Sequence, residues 1–261
     1  MQLYEANYQE GIILMNIKGH TIGNGKPLVC VPIMESDKEA VIREAKRLVC
    51  SGTEMIEWRL DAFSGIMSPN AVREVLKELG PVIRDTVFVY TFRSKRQGGL
   101  MELSAEQVQD LHQLAAESGI VDFVDVEYFE SKKPEQETHL LQEMGVHVIA
   151  SHHDFEQTPK RKVLQMILEH LKRCGAEIIK LAVMPHSMQD VLDLLEETSL
   201  FHEEFPGQHI ISMSMGETGK ISRVAGGFFG SCVTFGAGLQ SSAPGQIEEE
   251  KIKTILDILY E

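Results

Sequence analysis

The chain has 261 residues and a mass of 29.3 kDa, with 43% hydrophobic and 25% charged residues, the profile of an ordinary globular protein with a sizeable core. Its 39 acidic against 25 basic residues leave a formal net charge of -14. That balance argues against broad binding to nucleic acid or acidic membrane, and any anionic ligand must be drawn in by a local basic cluster.

Four cysteines, Cys30, Cys50, Cys174 and Cys232, form no CxxC pair and read as reduced thiols of a cytoplasmic protein. Glu5 and Glu10 precede a short IILM run that lacks the basic region and cleavage site of a secretory signal. No apolar stretch reaches the length of a membrane span. No low-complexity or Pro/Ser-rich linker divides the chain, so residues 1–261 are expected to form a single domain.

Residues 1–27 precede the main pattern as an extension. Ile22-Gly23-Asn24-Gly25-Lys26 is turn chemistry between short apolar segments and predicts a hairpin there. From Leu28 a rhythm of apolar runs begins, over residues 28–34, 55–60, 86–92, 123–127, 147–151, 178–183, 209–215 and 232–237. Amphipathic patterns separate them, for example over 37–50, 105–118, 160–174 and 187–201, and a last helix is predicted over 247–260. Several end at a glycine suited to a helix terminus: Gly52, Gly80, Gly119, Gly145 and Gly175. Eight strands alternating with eight helices imply parallel βα units, and the count and length favour a (β/α)8 TIM barrel over a doubly wound sheet. No GxGxxG follows the first strand, which lowers a dinucleotide-binding reading.

In a barrel, chemistry sits at the C-terminal ends of the strands. The second run ends in Glu57, Arg59 and Asp61 on one face, either an ion-pair network or part of a site. The third ends at Arg93, followed by a basic loop with Gln97 and the pliable pair Gly98-Gly99. Asp125 and Glu127, at i and i+2 on the fourth, lack the companions of a metal site and read as structural or electrostatic support. His152 and His153 follow the fifth. Neighbours in an extended chain point to opposite sides, so one of them, not both, can serve as a proton shuttle. Lys180 lies inside the sixth run, among Ile178, Ile179, Leu181, Ala182 and Val183. Such a lysine either lays its stem on the core with its head in water, or is a desolvated Schiff-base nucleophile. Met213 and Met215 share a face of the seventh run, as packing or as lining of a dry pocket. Arg223 follows a pliable turn, and the last run leads into a Pro/Gly-shaped loop with Ser241, Ser242 and Gln246.

These segments, in this order, resemble the type I 3-dehydroquinate dehydratases. The resemblance runs from Leu28 to the final helix and is carried by EWRLD (57–61), TFRSKRQGG (91–99), SHHDF (151–155), KLAVMP (180–185), SMSMGETGKISR (212–223) and SSAPGQI (241–247). It implies a (β/α)8 barrel with an N-terminal hairpin, a homodimer, and no metal or cofactor. It implies syn elimination of water from 3-dehydroquinate to give 3-dehydroshikimate, in the shikimate pathway of aromatic amino acid biosynthesis. By the same resemblance Lys180 forms an imine with the substrate ketone and His153 is the general acid/base. Glu57, Arg59, Arg93, Arg223, Ser242 and Gln246 would hold the substrate carboxylate and hydroxyls, and Met213 and Met215 would pack near the imine.

One position departs from the family pattern. Gln97 stands where the family has a glutamate that hydrogen-bonds the catalytic histidine, so a lower His153 pKa is expected. Cationic neighbours such as Arg59 or Arg223 are expected to help Lys180 attack as a free amine, and Arg223 is the first choice of partner for the substrate carboxylate. Loops 3 and 8 are candidates to close over the ligand. Rival readings are another Schiff-base lyase or class I aldolase on a barrel, a metal-dependent hydrolase, and a barrel kept for binding, of which Gln97 would be an early sign.

Overall fold

The structure, a computed structural model, describes residues 8–9 and 12–260. Two short antiparallel pairs come first: β1 (Tyr8–Gln9) with β2 (Ile12–Ile13), and β3 (Met15–Ile17) with β4 (His20–Ile22). Eight parallel strands follow: β5 (Leu28–Ile33), β6 (Met55–Arg59), β7 (Val87–Thr91), β8 (Phe123–Glu127), β9 (His147–Asp154), β10 (Ile178–Val183), β11 (His209–Ser214) and β12 (Val233–Ala237). They pair in chain order, and β12 returns to pair with β5. Ile210 of β11 bridges to Ser231, and the Cys232 N–H donates to the Ile210 carbonyl at 2.8 Å, which closes the ring. The expected TIM barrel is the fold.

Helices follow the strands: α1 (Lys38–Cys50), α2 (Pro69–Leu79), α3 (Ala105–Glu117), α4 (Pro134–Glu143), α5 (Arg161–Arg173), α6 (Met188–Glu204), α7 (Gly216–Ala225) and α8 (Glu249–Leu259), the last after the short β13 (Ile247–Glu248). Their starts are written in the sequence. The Asp37 carboxylate accepts from the Ala40 N–H, and Ser104 with Gln107 and Ser187 with Asp190 form reciprocal caps.

Alternation along the strands divides the apolar residues into two cores. Outward side chains such as Val31, Ile56, Trp58, Tyr90, Val124, Val148, Leu181 and Ile210 pack under the helices. Inward ones such as Cys30, Met55, Val89, Phe123, Ile149, Ile178 and Ile211 fill the barrel. The β3–β4 hairpin lies across the N-terminal end of the strands, with Met15, Ile17 and Ile22 joining the inner core. Lys18 fastens it there, donating to the Asp122 carboxylate at 2.7 Å and to the Thr86 carbonyl at 3.0 Å.

The hairpin is present as expected, but its turn is Lys18-Gly19, not the stretch after Ile22. Lys18 itself takes a left-handed φ of 52° and Gly19 one of 85°. Gly23-Asn24-Gly25 instead turns the chain from the hairpin into β5. A second difference lies in β9, which continues to Asp154 rather than stopping at 151.

Candidate active site

At the C-terminal end of the barrel, the inward positions of successive strands converge on Lys180. Register pairs Lys180 with Ser151 and Ile211, and Ala182 with His153 and Met213. These positions therefore face the barrel axis. A cavity of about 30 Å³, room for roughly one water molecule, is lined there by Glu57, Arg59, Arg93, Gln97, His153 and Lys180. Met213, Met215, Ser242 and Gln246 complete the predicted residues on its wall, together with Phe155, Ala182, Phe235 and Ala243.

Lys180 is 4% exposed, so its head does not reach water along the barrel wall. Its Nζ lies 3.2 Å from Asp125 Oδ2 and 3.5 Å from Glu57 Oε1, and sits 4.3 Å from the centroid of the Phe235 ring. The expectation of cationic neighbours is thus corrected: the charged groups in contact with the amine are carboxylates. Asp125 accepts from Arg93 Nη2 at 2.8 Å and from the Ser151 hydroxyl at 2.5 Å. Burial pushes the Asp125 carboxyl upward, but Arg93, Lys180 and these hydrogen bonds outweigh it and hold it down at about 2. Glu57 accepts from the Thr91 hydroxyl at 2.9 Å.

The three arginines differ in charge balance. Arg59 makes a two-pronged pair with Asp61, both contacts at 2.8 Å. Arg93 spans Asp125 and Glu127, each at 2.8 Å. Arg223 meets no carboxylate among the described residues. It donates to the Pro244 carbonyl at 3.1 Å, approaches the Phe235 carbonyl at 3.4 Å and Met213 Sδ at 3.6 Å, and is 1% exposed. Burial lowers its pKa to about 10. It stands behind the cavity wall formed by Met213 and Phe235 rather than on it.

His153 and His152 part as alternation requires. His153 faces the cavity, while His152 points away and packs edge-on against Phe129 at 4.9 Å. Gln97 Oε1 accepts from the His153 backbone N–H at 2.8 Å, which fixes the orientation of the amide, and lies 3.3 Å from His153 Nδ1. An amide oxygen only accepts, so Nδ1 carries the proton and Nε2 keeps its lone pair. Burial, then Arg93 and Lys180, hold His153 well below the ordinary imidazole value. Gln97 is 2% exposed and its Nε2 is buried without a hydrogen-bond partner among the described residues.

Two loops roof the cavity. Gly98, at φ 85°, lies so close under the Phe155 ring that a Cβ would come within 2.3 Å of it. The segment after β12 folds on itself: Gln246 Oε1 accepts from the Ser242 N–H at 2.8 Å, and Gln246 Nε2 donates to the Ser242 hydroxyl at 3.0 Å. Its Pro244 carbonyl also accepts from the Gly216 N–H at 3.1 Å.

Asp125, Phe155 and Phe235 were not expected in the site. The signal for Asp125 was its inward parity one register step from Thr91 on β7, but its contact with Lys180 spans 55 residues. Asp61 also takes a further part, accepting from the Leu100 N–H at 3.0 Å and so tethering the third loop.

The sequence profile of the family described as type I 3-dehydroquinase matches residues 29–261. A 3-dehydroquinate dehydratase of Klebsiella pneumoniae (strain 342) is 39% identical over 249 residues, covering 94% of this chain and 98% of the relative. That of Clostridioides difficile (strain 630) is 39% identical, covering 94% and 97%. Among solved structures, 3-dehydroquinate dehydratase from Geobacillus kaustophilus HTA426 superposes with a TM-score of 0.91 at 35% identity, covering 94% of this chain and 96% of that one. A type I enzyme from Clostridium difficile, described with covalently modified comenic acid, gives 0.89 at 38% identity, covering 94% and 97%.

Proposed function

The chain belongs to the type I 3-dehydroquinase family, and from that premise we propose how its barrel removes water from 3-dehydroquinate to give 3-dehydroshikimate in the shikimate pathway. A proton beside a ketone is a weak acid and hydroxide is a poor leaving group. Condensation of the ketone with Lys180 solves the first problem, because the cationic imine is an electron sink that turns the carbanion into an enamine. His153 Nε2 takes the proton and returns one to the departing hydroxyl on the same face. Water then releases the product and frees Lys180.

The observation that carries this reading is a buried lysine amine on the wall of the same small cavity as a neutral histidine. For attack, Lys180 must be neutral. A free lysine, with a pKa of about 10.4, is neutral in roughly one molecule in 2,500 at pH 7, a cost of about 4.6 kcal/mol. The adjacent Asp125 and Glu57 fix the amine in place, and an arriving substrate displaces these contacts.

Arg223 is our choice for the substrate carboxylate, supported by its buried guanidinium, which has no carboxylate partner among the described residues. The charges of Arg59 and Arg93 are already balanced, so these two, with Glu57, Ser242 and Gln246, are assigned to the hydroxyls and to positioning. Met213 and Met215 keep the imine dry. The 238–246 segment covers this cavity, and to it we assign the opening that admits substrate and exposes Arg223 as Pro244 leaves it.

Borohydride reduction in the presence of 3-dehydroquinate, followed by peptide mapping, tests the mechanism. A mass added at Lys180 is expected, and its absence from that peptide overturns the imine. Loss of water rather than release of an aldehyde separates the dehydratase from an aldolase.

We further propose a single domain over residues 1–261, cytoplasmic and homodimeric. No described helix is long and apolar enough to cross a membrane. Met188 and Leu192, one turn apart on α6, are 53% and 52% exposed and supply apolar surface for a partner copy. Sedimentation equilibrium reads the dimer directly.

A further inference from the structure

The opposite end of the barrel holds a second cavity, of about 150 Å³. His202 from the last turns of α6 and His209 at the start of β11 form part of its wall, with Asn24, Gly25, Ser231 and Cys232. It lies at the N-terminal ends of the strands, away from Met213 near the other end of β11 and Met215 just beyond it. No wall residue carries a carboxylate, in a chain of net charge -14.

His209 is 6% exposed, and its Nε2 is buried without a hydrogen-bond partner among the described residues. Nδ1 of His202 is in the same condition. One buried nitrogen of each imidazole thus has no hydrogen-bond partner among the described residues, on the wall of one cavity, and either ring can turn its N–H to that nitrogen to meet an acceptor there. Among the described residues no group of three or more His, Cys, Asp or Glu could hold a metal ion. An anion would gain N–H donors from both rings.

We propose that this cavity binds a small oxyanion, tetrahedral or carboxylate, between His202 and His209. The titratable groups on the wall are these two rings and Cys232. Burial holds the Cys232 thiol up at about 12, so it takes no part between pH 5 and 8. Burial, and then His202, hold His209 down at about 4. An anion between the rings favours the charged form of His209, so binding draws a proton onto that ring.

Sulfate is the probe, since it stays a dianion across the range, with sodium chloride at equal ionic strength as control. The readout is the imidazole proton–carbon spectrum of the full chain, assigned with His202→Gln and His209→Gln. We expect both resonances to move together and saturably, with Kd tightening as pH is lowered from 7 to 6, by at most about tenfold, the limit for one linked proton. Steady-state dehydration by either variant should match the parent. Acetate distinguishes the sources: movement with acetate assigns carboxylates to the site as well, and movement with sulfate alone assigns tetrahedral ions. Resonances that stay fixed at pH 6, or that chloride moves equally, overturn the proposal. His202 is half-buried, so His202→Gln keeps the test alive if His209→Gln fails to fold.

Discussion

Gln97 and His153 are joined twice, through the backbone N–H at 2.8 Å and the ring Nδ1 at 3.3 Å, both on one amide oxygen. This sets the tautomer of the ring without supplying a charge to stabilise its protonated form. In Gln97→Glu a carboxylate would favour the imidazolium, so the His153 pKa rises. The acid limb of the kcat/KM profile should therefore move to higher pH by about one unit. An unchanged profile would remove Gln97 from control of the base.

Lys180→Ala should lower turnover by more than about a thousandfold, in line with the loss of other covalent nucleophiles. The fold should survive, because Asp125 keeps Arg93 and Ser151 as partners. Circular dichroism and a rate assay together check this. Near-parental turnover would exclude the lysine from the reaction.

Asp125 gives a pH dependence whose sign is fixed. Its folded pKa, about 2, lies below the unfolded value of about 3.9, so it contributes stability that is fully present above pH 4. That contribution, about 2 kcal/mol, is lost as pH falls from about 4 towards 2. Denaturant melts of Asp125→Asn should start lower at pH 7, by about 3 kcal/mol, because Arg93 is left partly unbalanced. They should then fall less steeply below pH 4 than those of the parent.

Gly245 has a φ of 75°, and a Cβ there would lie 2.1 Å from the Gly216 carbonyl oxygen. Gly245→Ala should hold the 238–246 segment away from the mouth. Expected is a fall in kcat/KM of about ten- to a hundredfold, as for a small misplacement of positioning groups. The melting temperature should change little, and an unaltered kcat/KM would refute the closing role.

Lys18→Met should loosen the floor of the barrel. The amine donates to Asp122, Thr86 and Ile83, with its side chain 24% exposed. Loss of these charge-assisted bonds should cost about 2 kcal/mol, or roughly 4–8 °C in Tm. Activity at low temperature should persist, since the mouth lies at the other end.

The barrel strands were legible because a strand buried on both faces is a short apolar run, and eight such runs punctuated by helical patterns leave few other folds. β8 and β10 begin and end where the sequence put them. The hairpin turn was not, because Gly23-Asn24-Gly25 carries the stronger turn chemistry and is spent on a connection, while Lys18 tolerates a left-handed φ for the anchorage it gains. In the site, side-chain type and strand-end position were enough to collect Lys180, His153 and the Ser242–Gln246 pair. Charge balance was not readable. Which arginine stands uncompensated depends on partners such as Asp61, Asp125 and Glu127, and the Asp125 pair joins neighbouring strands 32 residues apart.

Met15, Ile17 and Ile22 stopper the barrel from below. Reactant and product must then share a single doorway above Lys180, beneath the same flap. Traffic through it has to alternate, one molecule out before the next comes in. Accumulated product would slow the enzyme by competing for that one entrance, to the degree that it still binds the residues within.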